Sequence, residues 1–154
     1  MARAAADAAA TDVSFVKLTI FSIDEANRLA QELRPELERL VLAQRELTPL
    51  ETRVAALSLA TAGAADDNPD TLDLAALNQR RAVLSRQIAE GVRSIHERGA
   101  LVKDLEQGLI DFYALSGDRL IFLCWRLGEA EIAHWHTLEG GFTGRQPLHR
   151  IEPD

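Results

Sequence analysis

The sequence predicts an α+β fold in which a long antiparallel helical hairpin packs on a small antiparallel β-sheet. Two observations support this fold class. Before Gly99, apolar residues recur at helical spacing along two long stretches. After Gly99, the chain consists of short β-branched and aromatic runs separated by turn residues, which is typical of strands. We expect a single domain over residues 13–154, with a strand and the hairpin in residues 13–99 and the sheet and a tail in residues 100–154.

The chain is expected to begin with a disordered tail, residues 1–12. This segment is rich in alanine and contains Asp7 but no leucine-type apolar run, so it does not resemble a signal peptide. The second half of the stretch 13–21 is rich in β-branched and aromatic residues and predicts a strand. Ser22, followed three residues later by Glu25, predicts a helix start with a capping box.

The first helix carries one apolar stripe over residues 26–41, with charged and amide side chains between. Pro35 lies inside this pattern and predicts a kink or a break near Arg34, because proline lacks an amide proton and crowds the preceding turn. Thr48 and Pro49 resemble an N-cap followed by proline at the first helical position. This pair predicts that a helix restarts there.

A connector and a second helix follow. Residues 61–70 are small, acidic and turn-prone, which indicates an exposed loop. The second helix is expected to begin near Asp70 or Thr71 and to end at Gly99, a typical C-terminal cap. Its apolar stripe contains Leu74, Leu77, Leu84, Ile88 and Ile95.

Four strands are predicted after the hairpin, at Ala100–Asp104, Leu109–Tyr113, Arg119–Arg126 and Glu131–His136. The turns between the last three are expected at residues 116–118 and at Gly128–Glu129. The tail, residues 146–154, contains two prolines and is expected to lack regular structure.

Composition restricts the partners. The formal net charge is -7, which argues against nucleic acid and anionic lipid, since both require a basic surface. No apolar run approaches the roughly 18 residues that a membrane span needs. The single cysteine excludes an internal disulfide bond. We therefore expect a soluble cytoplasmic protein that binds neither nucleic acid nor membrane.

Four segments, GLIDF, LCWRLGE, AHWH and GGFTGR, follow one another behind the predicted hairpin. They resemble the pattern GL(I/V)DF, LCWRLGE, WH and GF.GR of a family of short bacterial proteins catalogued as a domain of unknown function. FSIDEAN at the first helix is similar to the start of that family. The likeness extends from Phe21 to Pro147 and departs at Tyr113–Ala114, where the family pattern has proline. It implies a soluble bacterial protein and supplies no activity or catalytic residue.

The C-terminal strands carry side chains that can bind metals. Asp111, Cys124, Glu129, His134 and His136 all offer ligand atoms, and a His-x-His pair on one strand directs both imidazoles to one face. Whether Cys124 can join the histidines depends on the turn at Gly128.

Two registers are open at this turn. A two-residue turn at Gly128–Glu129 places Cys124 opposite Ala133, on the other face of the sheet from both histidines. A three-residue loop places Cys124 opposite His134 and Phe122 opposite His136. Glycine at the first turn position and a cross-strand Arg126–Glu131 pair favour the first register.

In the favoured register both faces of the sheet are apolar. One carries Ile121, Leu123, Trp125, Ile132 and the histidines, and the other carries Phe122, Cys124, Ala133 and Trp135. We expect the sheet to be covered on both sides. The hairpin can cover one side, and the kinked first helix, the tail or a second subunit can cover the other. A second subunit is our preferred cover, which predicts a homodimer.

No bound metal is the favoured prediction, because this register separates Cys124 from the imidazoles; a transition metal on His134 and His136 is the minor alternative. The loop at residues 140–145 is expected to be an ordinary surface loop, and anion binding by Arg145 is the alternative.

The leading functional hypothesis is a non-enzymatic binding or interaction protein whose helices mediate self-association. The alternative is a small-ligand or metal-dependent enzyme with a site near the C-terminal hairpin. Its candidate ligand-binding residues are Asp111, Glu129, His134, His136 and Arg145. The sequence leaves open whether the protein is an enzyme.

Overall fold

The computed structural model describes residues 18–148. The predicted disordered tail, the first part of the predicted strand at 13–21 and residues 149–154 lie outside this range. Within it the chain forms helices α1 (Ile23–Ala60) and α2 (Pro69–Glu97), strands β1 (Ala100–Asp104), β2 (Leu109–Ser116), β3 (Arg119–Arg126) and β4 (His134–His136), a 3-10 turn (Phe142–Gly144) and strand β5 (Gln146–Pro147). The two helices followed by an antiparallel sheet confirm the predicted α+β fold.

Helix α1 is continuous over 38 residues. Of the two alternatives at Pro35, a kink or a break, the break is therefore wrong, and the predicted restart at Pro49 is wrong as well. A proline inside a helix costs about 3 kcal/mol. Burying an aliphatic side chain returns about 1.5–3 kcal/mol. Four apolar side chains that flank the two prolines are buried, and their burial compensates for the two interruptions. They are Leu33, Leu37, Leu47 and Val54.

The start of helix α1 agrees with the sequence. The Glu25 amide donates to the Ser22 hydroxyl, and the Ser22 amide donates to the Glu25 carboxylate, which completes the capping box. The predicted strand just before it is absent from the described part, where residues 18–22 have no regular structure. The Phe21 amide donates to the Tyr113 carbonyl at 2.8 Å, and this hydrogen bond holds residues 18–22 beside β2.

Helix α2 begins behind an Asn68 N-cap with proline at the first position, and Gly99 follows its end, as the sequence predicts within two residues. The two helices lie antiparallel as a hairpin. At about 1.5 Å per residue, α1 is about 57 Å long, and it extends well past the sheet. Between residues 18 and 148 no helix is long and apolar enough to cross a membrane.

The hairpin packs on one face of the sheet, which we call the inner face. The core joins side chains of both helices to those of the strands, including Leu33, Leu37, Ile95, Phe112, Trp125 and Trp135. Trp125 and Phe112 are fully buried there. This packing fixes which face of each strand points away from the helices.

The sheet has the order β1-β2-β3-β4-β5, and each strand is antiparallel to its neighbours. Strands β2 and β3 pair along their full length around a two-residue turn at Gly117 and Asp118. Two residues of the predicted irregular tail, Gln146 and Pro147, pair with β4 instead. The sequence missed this pairing because proline is rare within strands and is confined to edges, where β5 lies.

The connection between β3 and β4 differs from the favoured prediction. Cys124 pairs with His134, and Phe122 pairs with His136, so the two-residue turn is wrong and the alternative register is correct. The Glu129 amide donates to the Arg126 carbonyl, with Gly128 at a φ of 103° in the turn. Residues 130–133 then leave the sheet, and the predicted Arg126–Glu131 pair does not form within a strand ladder.

The corrected register changes both faces. Trp135 lies on the inner face beside Leu123, whereas His134 and His136 share the outer face with Cys124 and Phe122. The outer face therefore carries the imidazoles of His134 and His136, the thiol of Cys124 and the carboxyl group of Asp111.

Substitution of Gly99 tests the junction between α2 and the sheet. Its φ is 99°, and an added Cβ would lie 2.7 Å from the Thr19 Cβ. Gly63 has a φ of 77° and open space around it, which makes it a matched control for backbone strain alone. We expect Gly99→Ala to lower the free energy of unfolding by about 3 kcal/mol and Gly63→Ala by about 1 kcal/mol. Equal losses in urea denaturation would show that the Thr19 contact is unimportant.

Candidate functional site

Three chemically active side chains meet on the outer face, one from each of three adjacent strands. Asp111 lies opposite Cys124. His136 lies on β4 two residues after His134, the residue that pairs with Cys124. One ligand atom of each residue lies within 4.8 Å of the other two. Their side chains are 1–3% exposed, so this Asp–Cys–His cluster is buried although it faces away from the helices.

Asp111 and His136 share a proton. The His136 Nδ1 lies 2.7 Å from the Thr137 carbonyl oxygen, which can only accept, so Nδ1 carries a hydrogen. The His136 Nε2 lies 2.8 Å from the Asp111 Oδ2, and a hydrogen bond there needs one proton. Burial raises the pKa of Asp111, and the neighbouring His136 opposes that rise.

Cys124 completes the cluster as a thiol. Burial, followed by the negative charge of Asp111, raises the pKa of Cys124 to about 12. At neutral pH the sulfur therefore keeps its proton. Since the thiolate is the nucleophile in cysteine catalysis, this environment disfavours covalent catalysis by Cys124.

A cavity of about 150 Å³ opens beside the cluster. Asp111, Cys124 and His136 form its polar side. The rest is formed by the strands and by the segment after β4, and contains Lys103, Phe122, Leu138, Glu139 and Phe142. The Lys103 ammonium lies 4.7 Å from the centre of the Phe122 ring. This volume accommodates a metal ion with its solvent or a small molecule, and it is below the usual size for a drug-sized ligand.

The other predicted site residues form a second, separate group, the Glu–His–Arg cluster. The Arg145 Nη2 donates to the Glu129 Oε1 at 2.5 Å and lies 3.4 Å from the Cys124 carbonyl oxygen. The His134 Nδ1 lies 3.5 Å from the Glu129 Oε2. That contact has no hydrogen-bond geometry, since the same nitrogen is buried without a hydrogen-bond partner.

The structure therefore divides the five predicted residues. Asp111 and His136 line the cavity, whereas Glu129 binds Arg145 and His134 lies beside that pair. Arg145 is directed inward, with its side chain 12% exposed, so its guanidinium is paired with Glu129 and is not presented to solvent as an anion clamp. Asp111 and Glu129 have different partners and do not form an acid–base pair.

Helix α1 positions the segment that carries Glu129. The Ile132 amide donates to the Asn27 Oδ1 at 2.7 Å, and the Gln31 side chain donates to the Ala130 carbonyl at 3.2 Å. The Glu129 carbonyl accepts from the Trp125 indole at 3.1 Å and lies 3.4 Å from an Arg34 nitrogen.

Sequence reasoning missed these three residues of α1. A signal was present, since Asn27, Gln31 and Arg34 are spaced by four and three residues. This spacing marks one polar helical face beside the apolar stripe. It also missed Lys103, Leu138 and Phe142 of the cavity, because their places in its wall depend on strand pairing and on the path of the chain after β4.

The model of an uncharacterized conserved protein family, DUF2203, matches residues 19–148. The comparisons with curated proteins and with solved structures gave no match.

The environment of Cys124 predicts a slow thiol. In native protein treated with EDTA, we expect Cys124 to react with a disulfide reagent at neutral pH at least about 100-fold more slowly than in the guanidinium-unfolded chain. Both the thiolate fraction and the access to the sulfur are reduced. Cys124 is the sole cysteine, so each reaction has a single phase. Native and unfolded rates within tenfold of each other would contradict the structure.

The Glu129–Arg145 pair predicts a measurable contribution to stability. Glu129→Gln leaves the largely buried Arg145 guanidinium without its carboxylate, and we expect the free energy of unfolding to fall by about 2 kcal/mol. Glu46→Gln is the control, because Glu46 binds Arg80 with both side chains about half exposed. We expect its urea midpoint to be unchanged. A similar midpoint shift in both variants would remove the distinction between the two pairs.

Proposed function

We propose that this chain, which belongs to the DUF2203 family of uncharacterized conserved proteins, is a non-enzymatic binding protein that forms a homodimer. The proposed interface is the outer face of the sheet. The observation that carries the proposal is a group of apolar side chains on that face, which we call the outer patch: Leu101, Tyr113, Leu115, Leu120, Leu138 and Phe142.

The outer patch is exposed to a degree that is unusual for such residues. Leu115 is 56% exposed, Leu138 43% and Phe142 37%. Leu101, Tyr113 and Leu120 are half-buried. The water-facing side of an antiparallel sheet normally carries polar residues at these alternating positions. Apolar side chains gathered in their place are typical of an interface.

Little of the described chain is available to cover the outer patch. Both helices pack on the inner face. On the outer side, the segment after β4 contributes Leu138, Glu139 and Phe142 to the wall of the cavity. A groove of about 500 Å³ continues from there past Leu120 towards Asp118.

A second copy of the chain is the partner that the charges favour. Strand β3 has the acidic Asp118 just before its start and the basic Arg126 at its end, and both side chains are exposed. Two copies that pack face to face about a twofold axis perpendicular to β3 bring the start of one β3 near the end of the other. The opposite charges then face each other at both ends of an isologous interface.

The proposed setting is the bacterial cytoplasm. The sole cysteine is a buried free thiol, which suits a reducing compartment. The net charge of -7 supports a partner other than nucleic acid or an anionic membrane.

A second candidate function is small-ligand binding or metal-dependent catalysis in the cavity. The buried Asp–Cys–His cluster favours it, since three ionisable groups line one small cavity. The homodimer is compatible with a ligand site in the cavity, because Leu138 and Phe142 of the outer patch lie in the cavity wall and leave the Asp–Cys–His cluster unchanged.

The homodimer predicts a mass of about twice 17.0 kDa in light scattering at micromolar concentration. We expect Leu115→Lys with Leu138→Lys to raise the dimer dissociation constant at least about tenfold, since two charges would be placed in a desolvated interface.

Leu42→Lys with Leu59→Lys is the matched control. These leucines are 63% and 82% exposed on helix α1, away from the sheet. The control variant should remain dimeric. A monomeric wild-type protein, or equal dissociation of both double variants, would refute the proposed interface.

A further inference from the structure

We propose that Asp111, Cys124 and His136 form a binding site for a divalent transition-metal ion, and that zinc is the ion that best matches this ligand set. The inference gives the cavity an occupant and therefore rests on the second candidate function. It does not depend on the homodimer.

The spacing of the three ligand atoms suits one ion. Zinc binds imidazole nitrogen and carboxylate oxygen at about 2.0–2.2 Å, so two such ligands of a tetrahedral site lie about 3.3 Å apart. The His136 Nε2 and the Asp111 Oδ2 are 2.8 Å apart, and the Cys124 sulfur lies within 4.8 Å of both. An opening of about half an ångström between the imidazole and the carboxylate admits the ion.

The charges of the ligands balance those of the ion. Coordination replaces the thiol proton of Cys124 and the proton shared by Asp111 and His136. One thiolate and one carboxylate then neutralise a divalent cation. A neutral cluster removes much of the cost of burying ionised groups at positions that are 1–3% exposed. Thiolate, imidazole and carboxylate together are ligands that zinc accepts.

The surroundings of His136 hold it in the form that a metal requires. Its Nδ1 donates to the Thr137 carbonyl at 2.7 Å, which fixes the ring orientation and directs Nε2 at Asp111 and Cys124. Ligand histidines in proteins usually donate their second nitrogen to a carbonyl or carboxylate in this way. All three ligands also lie on paired strands, which hold them more firmly than loops would.

Three protein ligands leave one position of a tetrahedral ion open. All three ligands line the cavity of about 150 Å³, with Lys103 and Glu139 also in its wall. A solvent molecule or a small ligand can fill this position. An open fourth position is the usual difference between catalytic and purely structural zinc sites.

His134 does not belong to the proposed site, although the sequence pairs it with His136. Its Nδ1 faces the Glu129 carboxylate at 3.5 Å, and Glu129 in turn binds Arg145. Loss of the His134 imidazole therefore leaves all three ligands in place, which makes His134→Ala a matched control for the loss of a histidine.

Cobalt titration of the untagged, EDTA-treated full chain tests the site. We expect one Co²⁺ per chain, visible d–d bands of a tetrahedral ion and a thiolate-to-cobalt charge-transfer band. Because the chain has a single cysteine, that last band can arise only from Cys124. Cys124→Ser should abolish it and weaken Co²⁺ binding at least about 100-fold, since removing a ligand exceeds the 10–100-fold effect of losing an outer-shell partner. His134→Ala should retain the band and bind within about twofold of wild type.

The wild-type spectrum alone can overturn the inference. A folded wild-type protein, checked by circular dichroism, that shows no charge-transfer band does not have this site. A band that disappears in His134→Ala but survives in His136→Gln would place the metal elsewhere. Light scattering of the same samples measures the homodimer separately, so failure of the metal site leaves that result intact. A small organic molecule that binds in the cavity of a protein that binds no Co²⁺ would support the second candidate function and refute the metal site.

Discussion

Hydrogen bonds from helix α1 to the segment after β3 determine which side chains meet on the sheet. Asn27 accepts from the Ile132 amide, Gln31 donates to the Ala130 carbonyl, and an Arg34 nitrogen lies 3.4 Å from the Glu129 carbonyl. These contacts, together with the buried Ile132 side chain, hold the segment off the sheet. Strand β4 then begins only at His134. Because alternate residues of a strand face opposite sides, a change of one residue in this register would move His136 from Cys124 to the helix side.

The elements that local patterns determine were predictable from the sequence. The capping box at Ser22, the helix end at Gly99, and strands β1 and β3 depend on neighbouring residues only, and their bounds agree with the structure. The two prolines of α1 led to the wrong predictions of a helix break and a helix restart, because the outcome there depends on distant residues. A local rule gave the cost of each proline, but burial against α2 and the sheet decided the outcome, and that contribution comes from residues far along the chain.

The candidate site was predicted in composition but not in arrangement. Asp111, Cys124 and His136 were all recognised as groups with suitable chemistry. The preference for a two-residue turn at Gly128 then separated the sulfur from the imidazole. Turn statistics describe isolated hairpins. Here the partners of the turn lie about a hundred residues earlier in the chain, for example Asn27 for Ile132. The one available signal was the polar face of Asn27, Gln31 and Arg34 on a helix that otherwise needs only an apolar stripe.

Dimerisation and metal binding are both proposed for the outer face, and each would change the local dielectric constant or depend on it. The Asp–Cys–His cluster is buried, but Phe142 and Leu138 in the wall of the adjoining cavity remain more than one-third exposed. A second copy on the outer patch would exclude water from the mouth of the cavity and lower the local dielectric constant. Attraction between a cation and its thiolate and carboxylate ligands strengthens as that constant falls. Metal binding and dimerisation at this face would then favour each other, with equal reciprocal effects on the two equilibria.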